Sequence, residues 1–310
     1  MDFHHTPVML NETLALLNPA PGGVFADGTL GGGGHSQAIL DRIGAEGRLY
    51  GIDRDQDALN AARSLLSAYP SFQAIHGNFH DALSLLADAP ALDGALLDLG
   101  VSSYQLDTPE RGFSFHEQAP LDMRMDQSRG MTAADWLNQT PQEGIRQALY
   151  DYADERWAAR IAQIIVEMRA ERPFVTTGDL VTAVDRAIPK AVRARDTGHP
   201  ARRTFQAVRS AVNDEIAPLR QALYDWLSLL KPHGRLCVIT FHSIEDRVVK
   251  QTFRAMQNPC TCPPKAPVCT CHRQPLAHIL GSGAVKPSKE ETDSNPRARS
   301  AVLRAVEKVA

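Results

Sequence analysis

Three apolar runs in the first hundred residues each stop on an aspartate. They are Val24-Phe-Ala-Asp27, Arg48-Leu-Tyr-Gly-Ile-Asp53 and Ala95-Leu-Leu-Asp98, with a further run, Phe72-Gln-Ala-Ile-His76, among them. Patterns with helical spacing separate the runs, at residues 36–43, 56–68 and 81–86. Strand, helix, strand at this rhythm constrains the chain to a parallel sheet with helices on both faces. In such sheets ligands bind outside the carboxyl ends of the strands, where these acids stand.

The rhythm then breaks. Residues 107–126 are polar and irregular. Helix starts follow: Thr132 with Asp135 and Thr176 with Asp179 have capping-box spacing, and Thr140-Pro141 with Glu143 offers a proline at a first helical turn. Trp157, Ile161, Ile164, Ile165 and Met168 keep helical spacing up to Pro173. Phe205, Val208, Val212, Ile216, Leu219, Leu223 and Leu227 predict one long helix bent at Pro218. A strand at 235–241, a helix at 244–256, a Pro- and Cys-rich loop at 258–275 and a strand pair at 276–280 and 301–306 complete the pattern. The expected architecture is a doubly wound α/β domain, mostly parallel, split by a helical insertion. Residues 1–106 and 207–310 form the core, and 107–206 form the insertion.

The first of the three acids opens a glycine loop, Asp27-Gly-Thr-Leu-Gly31-Gly-Gly-Gly34-His35-Ser36. Consecutive glycines let backbone approach a ligand closely, and the helix start adds unpaired N–H groups. The dinucleotide fingerprint would need Gly or Ala at position 36, where Ser36 stands. Asp53, ending the second strand, suits the two hydroxyls of a ribose. Together they point to a nucleoside cofactor, and S-adenosylmethionine, which has no pyrophosphate, fits better than a nicotinamide. Asp98, Ser102 and Ser103 lie at the end of the fourth strand, with capping of the next turn as the serines' simpler role.

Seven blocks carry a resemblance. They are Asp27 to Ser36, Asp98-Leu-Gly-Val-Ser-Ser103, Arg111-Gly-Phe-Ser-Phe115, Leu121-Asp-Met-Arg-Met-Asp126, residues 199–213, Phe241-His-Ser-Ile-Glu-Asp-Arg247 and Asn295-Pro-Arg-Ala-Arg-Ser300. In this order, end to end, they resemble the bacterial 16S rRNA cytidine N4-methyltransferases. The resemblance implies a class I (Rossmann-like) methyltransferase fold and methyl transfer from S-adenosylmethionine to N4 of a cytidine in the decoding region. It implies cofactor contacts at Gly33, Gly34, His35, Asp53, Phe79, Asp98 and Gln105. The Asn/Asp-Pro-Pro-aromatic signature of many amino-methyltransferases is missing, since Asp98 is followed by Leu-Gly-Val. Asp98, Ser102 and Ser103 are therefore the catalytic candidates for holding the target amine, with His242 in reserve.

The net charge of −3 and a pI near 6.4 give no support to a bulk electrostatic binder of nucleic acid. The charge is segregated, however. Between Arg186 and Arg209 lie seven basic residues and one acid, Asp196. Arginines so clustered neutralise phosphates, so Arg202, Arg203 and Arg209 are the RNA-binding candidates, with Arg297, Arg299 and Arg304 as an extension. A solvated helix face is the simpler reading of such a run. The expected partner is 16S rRNA within the small ribosomal subunit, and a homodimer is one open oligomeric state. No apolar run is long enough to span a membrane and the N-terminus lacks a signal-peptide layout, so the cytoplasm is expected. Cys260-Thr-Cys262 and Cys269-Thr-Cys271-His272 crowd four thiols into a loop. Paired zinc ligands usually enclose two to four residues rather than one, so reduced thiols without a metal are the expectation.

Overall fold

The computed structural model describes residues 7–194, 198–263, 268 and 270–310. In chain order its elements are α1 (Leu10–Leu17), β1 (Val24–Asp27), α2 (Gly34–Ile43), β2 (Arg48–Asp53), α3 (Gln56–Leu65), β3 (Phe72–His76), α4 (Ala82–Leu85) and β4 (Leu92–Asp98). Then come α5 (Ser103–Asp107), α6 (Ala133–Gln139), α7 (Gln142–Ala153), α8 (Ala158–Glu171), α9 (Thr177–Ala187), α10 (Lys190–Arg193) and α11 (Arg202–Asn213). The chain continues with α12 (Leu219–Leu229), β5 (Leu230–Thr240), α13 (Ser243–Gln257), β6 (Ala277–Ile279), α14 (Lys289–Ser294) and β7 (Val302–Lys308). It divides into two compact units, one running to Gly100 and resuming at Pro218, the other Val101–Ala217.

The first unit is built on one sheet with strand order β3-β2-β1-β4-β5-β7-β6. β1 pairs in parallel with β2 and β4, and β4 in parallel with β5, so that Asp98 stands opposite Ile239. β7 runs antiparallel to both β5 and β6. This order, with a reversed seventh strand, is the class I methyltransferase arrangement. Side chains alternate across it as a strand demands. Ala26, Ile52, Ala95, Leu97 and Val238 face a layer containing Leu223, Trp226 and Phe253 of α12 and α13. Phe25, Leu49, Leu96, Cys237 and Ile239 face the other, with Leu14, Ile39 and Leu59 of α1, α2 and α3. Burial on both faces explains why these strands read as continuous apolar runs.

The second unit is helical, and its core joins Leu137, Ile145, Leu149, Ile161, Ile165, Leu180, Phe205 and Val208. Thr132–Asp135 and Thr176–Asp179 form the expected capping boxes. One expectation fails. The predicted long helix is two helices, α11 and α12, parted where Asp214 turns left-handed at φ 49°. Pro218 caps α12 rather than bending a continuous helix. Phe205, Ala207 and Val208 of α11 belong to the helical core, so the sheet unit resumes at Pro218 and not at 207.

Candidate active site

The strand order reverses between β1 and β4, which places a crevice at their carboxyl ends. Asp27 ends β1 and is 1% exposed. Its carboxylate accepts the Ser36 hydroxyl at 2.8 Å and the Thr29 N–H at 3.1 Å. Ser36 therefore stands where a dinucleotide fold wants Gly or Ala because its hydroxyl serves this acid. Two glycines of the loop are needed for shape. Gly33 has φ 86° as it leads into α2, and a Cβ on Gly34 would meet Pro7 Cγ at 2.5 Å.

Asp53 fastens the loop from the next strand. Its two oxygens accept the N–H groups of Gly31 and Asp55, each at 2.8 Å. Desolvation raises its pKa. Phe79 follows β3, is buried, and has its carbonyl fixed by the Trp226 indole N–H at 2.9 Å. His35 is buried too. Its Nε2 lies 3.0 Å from the Val8 carbonyl, and its Nδ1 is 3.7 Å from Asp98 Oδ2. The N–H on Nε2 would thus anchor residues before α1, which turns His35 into a strap for the loop.

Asp98 is the exceptional group. Its Oδ1 is buried and has no hydrogen-bond partner among the described residues. Burial, and then the neighbouring carboxylates of Asp27 and Glu245, raise its pKa well above the ordinary range. Glu245 is 1% exposed and accepts the N–H of Phe241 at 3.1 Å. Three acids this close together, two of them on buried strand ends, repel one another when ionised, and a cationic ligand would relieve that repulsion. His242 of this segment is the N-cap of α13, its Nδ1 accepting the Glu245 N–H at 3.4 Å.

Asp27 carries a measurable cost. Burial pushes its pKa from 3.8 to about 6, so its ionisation removes folding stability as pH rises from about 4 through 6. His80 acts oppositely. Burial lowers it from 6.5 to about 4, so its contribution is lost as pH falls through that window. The two offset in the parent protein, and a difference between variants separates them. The stability of Asp27→Asn relative to the parent is expected to improve by roughly 2–3 kcal/mol between pH 4 and pH 7.5. Urea denaturation of the ligand-free protein at both pH values measures it, and a difference independent of pH would remove the assignment.

Within the helical unit, Ser102 and Gln105 cap each other. Ser102 Oγ accepts the Gln105 N–H at 3.2 Å, and Gln105 Oε1 accepts the Ser102 N–H at 3.1 Å. Gln105 is buried, while Ser103 keeps partial exposure. Sequence reasoning gave no role to Arg111 and Asn213 as individuals, although both lie in motif blocks. Arg111 Nη2 donates to the carbonyls of Arg124 and Met125 at 3.1 and 3.0 Å. Asn213 donates to the carbonyl of Met123 at 2.7 Å and accepts the Met125 N–H at 2.8 Å. Together they clamp the 121–126 segment, whose Met123 sits at φ 58°. Nearby in this unit Phe115 stacks on His199 at 4.5 Å between centroids.

The basic residues divide. Arg202 and Arg203 are exposed and form no ion pair among the described residues. Arg209 is a correction to the charge count. It binds Glu215 through both ends, at 2.9 and 2.7 Å, with the two side chains 14% and 7% exposed. Arg193 pairs with Asp185. Arg304, in the sheet unit, is spent on Asp246 at 2.7 and 2.9 Å, whereas Arg297 and Arg299 are exposed. Arg195 and Asp196 lie outside the described residues.

The family model described as the MraW methylase family matches residues 2–309. The chain belongs to that family. A Ribosomal RNA small subunit methyltransferase H of Symbiobacterium thermophilum is 50% identical over 312 residues, spanning 100% of this chain and 98% of the relative. Relatives with the same name in Heliobacterium mobile and Geobacter sp. are 48% and 49% identical, covering 100% and 99% of this chain and 100% and 99% of their own lengths.

This MraW-family methylase is S-adenosylmethionine-dependent. Its crevice fits that cofactor: the unpartnered Asp98 oxygen and the three-acid pocket suit a ligand with a sulfonium and an ammonium group. No helix among the described residues is long and apolar enough to cross a membrane.

Proposed function

We propose that the chain methylates the exocyclic N4 amine of a cytidine in the decoding region of 16S rRNA, acting on the small ribosomal subunit in the cytoplasm. The observation that carries this reading is the end-to-end match, at about half identity, to relatives named for small-subunit rRNA methylation. Bound S-adenosylmethionine supplies an electrophilic sulfonium methyl group. Asp53 holds the ribose hydroxyls with lone pairs left over from its two backbone contacts. Phe79 packs on the adenine, and Gly33, Gly34 and His35 shape the loop that lets the cofactor approach. Asp98 meets its positive charge.

The target amine is a weak nucleophile because its lone pair is delocalised into the ring. Placement in line with the methyl group therefore matters most. Ser103 offers a hydroxyl acceptor for the amine N–H, while Ser102 holds the turn that presents it. Proton loss follows to water. The helical unit recognises the RNA. Arg202 and Arg203 take phosphates, and the Phe115–His199 pair offers a stacking surface for an extruded base.

Transfer of labelled methyl to small subunits that lack the modification, followed by nucleoside mapping, tests the reading. Label in N4-methylcytidine is the expected result. Label in another nucleoside, or none with the cofactor bound, would overturn it.

A further inference from the structure

Residues 258–275 join α13 to β6 without a helix or strand among those described. The ends of this loop are pinned together, Leu276 N–H donating to the Met256 carbonyl at 2.8 Å and Ile279 N–H to Gln257 Oε1 at 2.7 Å. Among the described residues between the pins none is buried, and the apolar Val268 is 70% exposed. The described residues of the loop supply neither core nor regular structure, so another source must hold them in place.

The sulfur atoms of Cys260, Cys262 and Cys271 lie within 4.8 Å of one another. Cys260 Sγ and Cys271 Sγ are 3.7 Å apart. A tetrahedral zinc ion with Zn–S bonds of about 2.3 Å sets its sulfurs about 3.8 Å apart. A multi-iron cluster, whose ligands bind separate iron atoms, spreads its thiolates wider. Thr270 N–H donates to Cys262 Sγ at 3.3 Å, a contact that stabilises a thiolate. The one-residue gap in Cys260-Thr-Cys262 is shorter than usual between zinc ligands. Here the loop folds back, so that Cys271 joins the pair from eleven residues beyond Cys260.

We propose that Cys260, Cys262 and Cys271 supply three of the four ligands of a structural Zn²⁺ that ties residues 260–262 to residue 271. This is a site separate from the crevice, since none of the acids at the strand ends takes part. Cys269 lies outside the described residues. Binding displaces the thiol protons to solvent, so affinity falls with acid.

The test begins with untagged protein purified without chelator. Elemental analysis is expected to find about one zinc per chain, with Cys260→Ser, Cys262→Ser and Cys271→Ser each losing most of it. Limited proteolysis then reads order: zinc removal with a strong chelator should speed cleavage within 258–275 at least tenfold and zinc alone should reverse this. Cofactor binding, measured on the same samples, should be retained. Metal-free protein with all thiols reactive, a Cys260–Cys271 disulfide in reduced-handled samples, or a cleavage rate indifferent to zinc would each overturn the proposal.

Discussion

Asp98→Asn is expected to weaken S-adenosylmethionine binding by 10- to 100-fold while raising the unfolding midpoint of the cofactor-free protein. The two effects have one cause. A charge-assisted contact to the cofactor's cationic group contributes about 1.5–3 kcal/mol, and the near-isosteric amide gives it up. Without cofactor, the same carboxylate is buried beside Asp27 and Glu245 with Oδ1 unpartnered. Removing its charge relieves that crowding, by on the order of 1 kcal/mol. The pH dependence follows in sign. Asp98 is protonated more readily in the empty crevice than an ordinary aspartate, and the cation needs the ionised form. Affinity should therefore climb as pH rises through the raised pKa, and Asp98→Asn should flatten the climb. Calorimetric titration with S-adenosylmethionine across pH, beside denaturation of the free protein, reads both effects. Unchanged affinity at neutral pH would dismiss Asp98 as the cofactor's counter-charge.

The second large effect belongs to the helical unit. Arg202→Glu with Arg203→Glu is expected to weaken RNA binding about 100-fold at low salt. Loss of two phosphate contacts should also flatten the slope of log affinity against log salt by at least about 1.4. Both side chains are exposed, so folding should be untouched. Arg209→Gln is the contrasting variant. It leaves Glu215, 7% exposed, without its bidentate partner, and is expected to cost roughly 3 kcal/mol of stability. Its salt slope should stay at the parent value. Filter binding over a salt series and thermal denaturation distinguish the two behaviours. If the double variant kept the parent's slope, the phosphate assignment would fail.

What the sequence made legible follows from what periodicity and spacing can register. The strands ending at Asp27, Asp53 and Asp98 were visible because burial on both faces leaves no polar interruption until the ligand edge is reached. The capping boxes at Thr132 and Thr176 were visible because the cap is local. The division of α11 from α12 was hidden. Their apolar stripes stay in phase across Asp214, and nothing in the pattern marks one residue turning left-handed. Helix α1 was missed as well, since eight residues give little more than two turns of periodicity. Among the site residues, spacing found Asp98, but not its burial or the approach of Asp27 and Glu245, which together raise its pKa. Counting charges could not tell Arg209, held by a glutamate six residues on, from the exposed Arg202 and Arg203. Cys260 and Cys271, eleven residues apart, come together only through the folded path of the loop.

The position of β7 bears on how the chain is made. β6 touches the sheet only through β7, which lies between it and β5. During synthesis, residues 277–279 leave the ribosome with no strand to pair with, and the outer edge of β5 stays bare until residues 302–308 follow. An uncovered edge strand is a template for association with other chains. That edge is open to misassembly while the residues between Thr240 and Val302 are made, and a pause there should call for a chaperone more than a pause anywhere in the helical unit.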